Sequence, residues 1–243
     1  MRIDKLLANM GYGTRKEVKA LLKGGNVRIN GQPEKSPKTH VDPEQDSVTV
    51  LGEEVEYREF IYLMMNKPGD LISATEDAHD MTVIDILQPE DIIFEPFPIG
   101  RLDKDTEGLL LITNDGKLNH RLTSPKKDVG KTYYARIDGR VTDEDVEKFS
   151  KGVTLDDGYH TKPGELVILS SGDESEIELT ITEGKFHQVK RMFEAVGKRV
   201  IYLKRIRMGD LELDPELDLG EYRELSDDEL NYLFSITNLE NTE

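Results

Sequence analysis

Residues 99–116, I-G-R-L-D-K-D-T-E-G-L-L-L-I-T-N-D-G, hold the densest set of groups able to do chemistry. Arg101, Asp103, Lys104, Asp105 and Glu107 crowd into seven residues and run directly into an apolar stretch, 109–112. Charges beside a desolvated strand cost free energy unless each is paired. A carboxylate held ionised there by a cation is suited to act as nucleophile or base. Three other readings fit the same residues. One is a polar loop leading into a core strand. Another is a Mg²⁺ site built from closely spaced acids, which the interleaved Arg101 and Lys104 disfavour. The third is a glycosidase pair, Asp103 with Asp105, disfavoured by the low aromatic content of 7% and the absence of Trp. With no Cys, disulfides, thiol nucleophiles and Cys-based zinc sites are excluded. No dinucleotide-binding glycine pattern, Walker loop or Cys/His metal spacing occurs. The expected complement of cofactors and metals is none.

Several elements must position these groups. A fully apolar strand is predicted over 61–65, ending in the turn Asn66-Lys67-Pro68-Gly69, and a short helix over 81–87. Residues 109–113 read as a buried strand closed by an Asn114-Asp115-Gly116 turn. β-Branched and aromatic content predicts strands over 131–137, 165–169 and 177–181, and helices are predicted over 144–151 and 186–196. Many strands with few helices between them indicate an α+β domain on a mixed or antiparallel sheet. The N-terminal region has a different texture. Ile3, Leu6, Leu7 and Met10 form one helical stripe. Thr14 and Glu17 form a capping box that opens a second helix with Val18, Leu21 and Leu22 on its apolar side. A V-R-I strand then meets Asn30-Gly31, a strong hairpin signal. Val48 with Val50, and Val55 with Tyr57, read as further strands around Leu51-Gly52. Pro37, Pro43 and the acid-rich run 42–59 mark a boundary zone.

Charge is sorted along the chain. Overall, 32 Lys+Arg against 49 Asp+Glu give −17, which taken alone argues against a nucleic-acid partner. Residues 1–31 nevertheless hold seven basic groups and two acidic, a net of +5, and residues 182–208 hold eight and two, a net of +6. The segment 209–243 carries one Arg and twelve acids, a net of −11. Arg15, Lys16, Lys19 and Lys23 include pairs at i+3 and i+4, which share a helix face. With Arg2, Lys5 and Arg28 they form the kind of basic surface that phosphate contacts require. The acid near the N-terminus interrupts any signal-peptide pattern, and the longest apolar stretch, 60–65, is too short to span a membrane. A cytoplasmic protein with no membrane partner is expected.

Two resemblances sharpen these readings. The order helix, helix, V-R-I-N-G over residues 1–50 resembles the S4-type RNA-binding module, which implies structured RNA. The motif G-R-L-D-K-D-T-E-G-L-L-L-I-T-N-D-G resembles the catalytic motif of the RsuA-like family of ribosomal RNA pseudouridine synthases. That family's other segments follow in order as Asn66-Lys67-Pro68-Gly69, Lys131-Thr132-Tyr133 and E-G-K-F-H-Q-V-K-R-M at 183–192. The resemblance implies an S4-type module over 1–57 and a catalytic domain over 58–243 with a mixed, mainly antiparallel sheet. It also implies isomerisation of a uridine to pseudouridine without a cofactor.

Carried over residue by residue, the resemblance makes Asp103 the catalytic aspartate, Lys190 its basic partner and Tyr133 the aromatic against the target base. Leu102 and Val189 would line the pocket. Arg101 would fill the stack left by the flipped nucleotide, since extrusion costs a few kcal/mol. Lys67, His187, Gln188 and Arg191 would meet RNA. Whether Asp103 attacks the sugar, attacks the base or removes a sugar proton stays open. F-H-Q-V-K-R-M and residues 219–225 resemble the small-subunit branch. The implied partner is therefore 16S ribosomal RNA or an assembling small-subunit particle, with uridine 516 in standard rRNA numbering as the target and the enzyme a monomer. A large-subunit (23S) target and a non-catalytic ribosome-assembly factor are the alternatives.

Overall fold

The computed structural model describes residues 1–124 and 128–238. The chain forms two compact units, Met1–Ile61 with Leu87–Pro96, and Tyr62–Ile86 with Phe97–Glu243.

In the first unit, helices α1 (Ile3–Asn9) and α2 (Arg15–Lys23) accompany strands β1 (Val27–Ile29), β2 (Gln32–Pro33), β3 (Val48–Val50) and β4 (Glu53–Glu54). The strands form an antiparallel sheet in the order β2-β1-β3-β4. The expected capping box is present: Thr14 N–H donates to the Glu17 carboxylate at 2.7 Å, and Glu17 N–H donates to the Thr14 hydroxyl at 3.4 Å. Ile3, Leu6 and Leu7 share a core with Val18, Leu22 and Val27, while Met10 lies at the end of α1 and is only half-buried. Asn30 and Gly31 take the left-handed conformation that a two-residue hairpin demands. Val55 and Tyr57 lie beyond β4 and pack on the core without forming a strand. The first unit also includes α3 (Pro89–Ile92).

No helix forms over 81–87; the chain there makes one bridge, Ile72 to Thr82, and a turn locked by Thr82 N–H donating to Asp85 at 2.7 Å. A helix cannot run on from that turn, because Gln88 precedes Pro89 and is held extended.

In the second unit the strands are β5 (Tyr62–Lys67), β6 (Phe97–Pro98), β7 (Glu107–Thr113), β8 (Lys131–Asp138), β9 (Glu165–Ser170), β10 (Glu174–Ile181), β11 (Arg199–Met208), β12 (Leu211–Glu212) and β13 (Tyr222–Glu224). Among them run α4 (Gly116–Thr123), α5 (Asp143–Lys151), α6 (Gln188–Glu194) and α7 (Asp227–Thr237). The main sheet has the order β13-β5-β7-β11-β8-β10-β9, with β6 added to β7 and β12 to β11. Among the described residues its one parallel pair is β7 with β11. That makes it the mixed, mainly antiparallel sheet of an α+β domain.

The buried run of β7 is what a strand covered on both faces requires. Leu109 and Leu111 meet Leu118 and Leu122 of α4 and Leu233 and Phe234 of α7, with Tyr62 edge-on to Phe234 at 5.8 Å. Phe149 of α5 and Phe193 of α6 meet at 5.0 Å. At Gly108 (φ +100°) a Cβ would collide with the Arg205 carbonyl oxygen, so glycine is needed for β7 to pair with β11.

Three local expectations change. The Asn114-Asp115-Gly116 segment opens a helix, because the Asp115 carboxylate accepts from Lys117 N–H at 2.8 Å and Leu118 N–H at 3.1 Å. The 186–196 helix is shorter, since His187 adopts the left-handed conformation (φ 49°) just before α6. Strand β11 and helix α7 carry no counterpart in the sequence reading. No helix among the described residues is long and apolar enough to cross a membrane.

Candidate active site

The Asp103 loop joins the turn at Gly100 to β7, and its backbone is pinned from several sides. Lys67, at the end of β5, is fully buried. Its ammonium donates to the carbonyl oxygens of Pro68 at 2.9 Å, Lys104 at 3.2 Å and Thr106 at 3.0 Å. Burial lowers the Lys67 pKa to about 8, against the opposing pull of Asp105, Glu107, Asp103 and Asp70. The Ser73 hydroxyl donates to the Leu102 carbonyl and accepts from Leu102 N–H, both at 3.1 Å. Asp70 N–H donates to Lys104 O at 2.9 Å, and Thr106 N–H to Asp103 O at 3.0 Å. The loop is therefore rigid before any side chain of the site is considered.

Onto this loop α6 brings positive charge. Lys190 Nζ lies 3.4 Å from Asp103 Oδ2 and 2.6 Å from Asp105 Oδ1. His187 Nε2 lies 3.7 Å from Asp103 Oδ1. The Asp103 carboxylate is partly open to solvent, with 27% exposure, whereas Asp105 is far more open. Burial pushes the Asp105 carboxyl up, but the hydrogen bond and charge of Lys190 outweigh it and hold the pKa below its ordinary value.

Asp103 opens into a pocket walled by Leu102, Tyr133, Val189, Ile181 and Leu203, with Arg101 and His187 also on its lining. Tyr133 reaches it from β8, where it pairs across to Leu179 of β10 and Arg205 of β11. Asp103, Tyr133, Arg101, Leu102, Val189, His187 and Gln188 thus converge on one cavity, and Lys190 joins them through its ion pair. A carboxylate beside a fixed ammonium, facing an apolar and aromatic slot, is suited to acting on a flat, uncharged ring.

Other expected RNA contacts are placed differently. Lys67 cannot meet RNA, because it is fully buried and committed to three carbonyls. Gln188 is also buried; its amide donates to Glu183 at 2.7 Å and accepts from Lys185 N–H at 2.8 Å, so it holds the turn before α6. Arg191 is folded onto Asp156 at 2.5 Å and Asp157 at 2.7 Å, which neutralise it. Arg2 is bidentate to the buried Asp4 at 3.0 and 2.7 Å. Lys5, Arg15, Lys16, Lys19 and Arg28 are exposed on the first unit.

Two residues of this neighbourhood escaped the sequence reading. Thr106 lines the pocket, and its buried hydroxyl has no hydrogen-bond partner. Phe186 stacks on the His187 ring at 3.8 Å with an 18° interplanar angle, yet is 74% exposed. The signal for Phe186 was an aromatic set between Lys185 and His187, outside any apolar stripe. Single exposed apolar residues are common, but a flat ring pair beside a cavity offers a stacking face.

Comparison with known proteins identifies the family. Residues 61–195 match the family model described as RNA pseudouridylate synthase, and residues 1–47 match that of the S4 domain. The chain is 58% identical over 234 residues to "Uncharacterized RNA pseudouridine synthase YtzG" of Bacillus subtilis (strain 168), covering 96% of this chain and 98% of that one. It is 40% identical over 236 residues to "Ribosomal small subunit pseudouridine synthase A" of Vibrio parahaemolyticus, covering 97% of this chain and all of the relative. A crystal structure of a pseudouridylate synthase superposes with a TM-score of 0.67 at 35% identity, over 96% of this chain and 99% of the other. With a matched model spanning more than half its length and relatives alike from end to end, the chain belongs to the RNA pseudouridylate synthase family and carries an S4 domain at its N-terminus.

Proposed function

We propose that this enzyme isomerises a single uridine of 16S small-subunit ribosomal RNA, uridine 516 in standard numbering, with Asp103 as the essential carboxylate. The observation that carries the catalytic part is the Asp103 carboxylate between Lys190 at 3.4 Å and His187 at 3.7 Å, open to a slot lined by Tyr133. In the reaction the bond from the sugar C1′ to N1 breaks and one from C1′ to C5 forms. N1 gains a proton and C5 gives one up, so no atom is added or lost overall. A fixed carboxylate serves whether it attacks the sugar, attacks the base or removes a sugar proton. Lys190 pairs with both neighbouring carboxylates, Tyr133 packs on the base, and Leu102 and Val189 exclude water from it. Arg101, exposed beside the pocket, offsets the stacking lost when the nucleotide leaves its helix.

The small-subunit target rests on the relatives that bear that name and on the F-H-Q-V-K-R-M sequence around His187. Residues 1–57 would grip structured RNA through Lys5, Arg15, Lys16, Lys19 and Arg28, and residues 58–243 would carry the chemistry, in a cytoplasmic monomer. The test is to incubate the purified chain with small-subunit and large-subunit ribosomal RNA transcripts and map pseudouridine in both. One new site in the small-subunit RNA is expected. A site in the large-subunit RNA alone would refute the choice of subunit.

Phe186→Ala is expected to weaken RNA binding by roughly tenfold, since stacking on an aromatic is worth about 1–3 kcal/mol per base. Filter binding checks this, and unchanged affinity would show that the exposed ring does not stack on RNA.

A further inference from the structure

Beside the Asp103 pocket lies a second depression that shares Arg101, Tyr133, Gly184 and Lys185 with it. Its lining includes Lys131 of β8 and Arg205 of β11. These strands are neighbours, with Tyr133 paired to Arg205 and Lys131 to Met208, so the two cations are diagonal neighbours across the ladder. Arg205 is only 2% exposed. Its Nε donates to Leu109 O at 2.8 Å, while its Nη2 is buried with no hydrogen-bond partner. Lys131 gives one hydrogen to Val129 O at 3.2 Å. Burial and the nearby positive charge of Arg205 lower the Lys131 pKa to about 8, and Asp128 only partly opposes them.

Among the described residues neither cation forms an ion pair. The acids close by are already engaged. Glu183 accepts from Lys162 N–H at 2.9 Å, Tyr159 OH at 2.7 Å and Gln188 at 2.7 Å. Asp128 is bonded to the Lys162 ammonium at 2.6 Å. Lys185 sits over the Tyr159 ring at 4.6 Å. A buried guanidinium with an orphaned N–H beside a half-buried ammonium of the same sign is unfavourable unless an anion joins them. A guanidinium and an ammonium on one wall suit a tetrahedral phosphate.

We propose that Lys131 and Arg205 form a phosphate subsite that takes a backbone phosphodiester of the RNA strand, next to the nucleotide whose base enters the Asp103 pocket. The proposal rests on reading that pocket as the uridine site. It adds that the strand is held by a buried guanidinium and a half-buried ammonium as well as by the exposed cations of the first unit. A phosphate there satisfies the Arg205 Nη2 donor and keeps Lys131 charged.

Lys131→Met tests this directly, because it removes a half-buried charge without opening a cavity and is expected to melt no earlier than wild type. Binding is measured from low to moderate salt on both small-subunit and large-subunit ribosomal RNA. A wrong choice of subunit then shows in the wild type itself, whereas failure of the subsite shows as a variant identical to wild type on whichever RNA is modified. Lys131→Met is expected to bind about tenfold more weakly at low salt. Its plot of log affinity against log salt should be shallower by about 0.7, the contribution of one single-strand phosphate. Wild-type affinity should fall as pH rises through about 8, and that of Lys131→Met should not. Equal affinity and equal slope in a folded variant would overturn the proposal.

Should Lys131→Met melt early, Lys131→Arg carries the test. Its charge persists above pH 8, so its affinity is expected to stay flat where wild type falls, and the same fall in both would overturn the subsite. Millimolar inorganic phosphate separates the two sources of the anion. If it protects wild type but not Lys131→Met from thermal unfolding while their RNA slopes agree, the site belongs to free phosphate and the assignment to RNA is wrong.

Discussion

Asp103→Asn is expected to abolish pseudouridine formation while leaving the fold and the affinity for RNA close to those of wild type. The substitution is nearly isosteric and removes only the ionisable group. The loop does not depend on that side chain, because its backbone is held by Lys67 through three carbonyls and by Ser73 through Leu102. Lys190 keeps a partner in Asp105 at 2.6 Å, so no buried ammonium is stranded. Loss of a group that bonds to, or takes a proton from, the reacting atoms costs on the order of 10⁴-fold or more in kcat. The isomerisation releases the hydrogen on C5, so tritium release from RNA labelled at uridine C5 gives the rate, and gel shift gives the affinity. A variant within tenfold of wild type would remove Asp103 from the chemistry.

Lys67→Met is the second large effect, and it acts through the scaffold. The ammonium satisfies the carbonyls of Pro68, Lys104 and Thr106 around the Asp103 turn. Methionine fills similar space but leaves those acceptors unmatched, at about 1–3 kcal/mol for each buried orphan. Relief of burying a charge offsets part of this, so a net loss of about 3 kcal/mol is expected. A shift of about 1 Å in a reacting group can cost 10²-fold, so kcat should fall by about that factor although Lys67 touches no substrate.

The pH dependence distinguishes this clamp from simple packing. The folded pKa is lowered from 10.5 to about 8, so between those values the unfolded chain holds the extra proton. Stability contributed by this lysine therefore rises with pH across that window. Denaturant unfolding from pH 7 to 10 should show the rise in wild type and less of it in Lys67→Met. Equal pH slopes in the two proteins would argue against a buried, strained ammonium.

The α+β class was legible because the strands announce themselves by composition, from the apolar run of β5 to the β-branched and aromatic β8. The Asp103 loop stood out by its crowded charges, whereas Tyr133, Val189 and Lys190 were singled out only through the family resemblance, and the structure brings all of them to one pocket and its ion pair. What misled was the environment of individual charges. Lys67 before Pro68-Gly69 reads as a surface turn, and only the arrival of the Asp103 loop from far along the chain turns it into a buried clamp. Arg191 reads as a free cation on α6, yet Asp156 and Asp157 reach it from a distant loop. Strand β11 was hidden by its own charges, since Lys204, Arg205 and Arg207 interrupt the alternation and suggest a basic surface. Helix α7, by contrast, carried a readable capping box, Ser226 with Glu229, in which Glu229 N–H donates to the Ser226 hydroxyl at 3.3 Å. Part of the acid along 209–243 is internal structure, with Arg223 bridging Asp214 at 2.5 Å and Glu229 at 2.8 Å.

The most direct test of Asp103 as the catalytic group of a small-subunit uridine isomerase is pseudouridine mapping of ribosomal RNA from cells lacking this gene, complemented with wild type or with Asp103→Asn. One small-subunit uridine should lose its mark in the deletion, regain it with wild type and stay unmodified with Asp103→Asn. Restoration by Asp103→Asn, or an unchanged map in the deletion, would contradict the assignment.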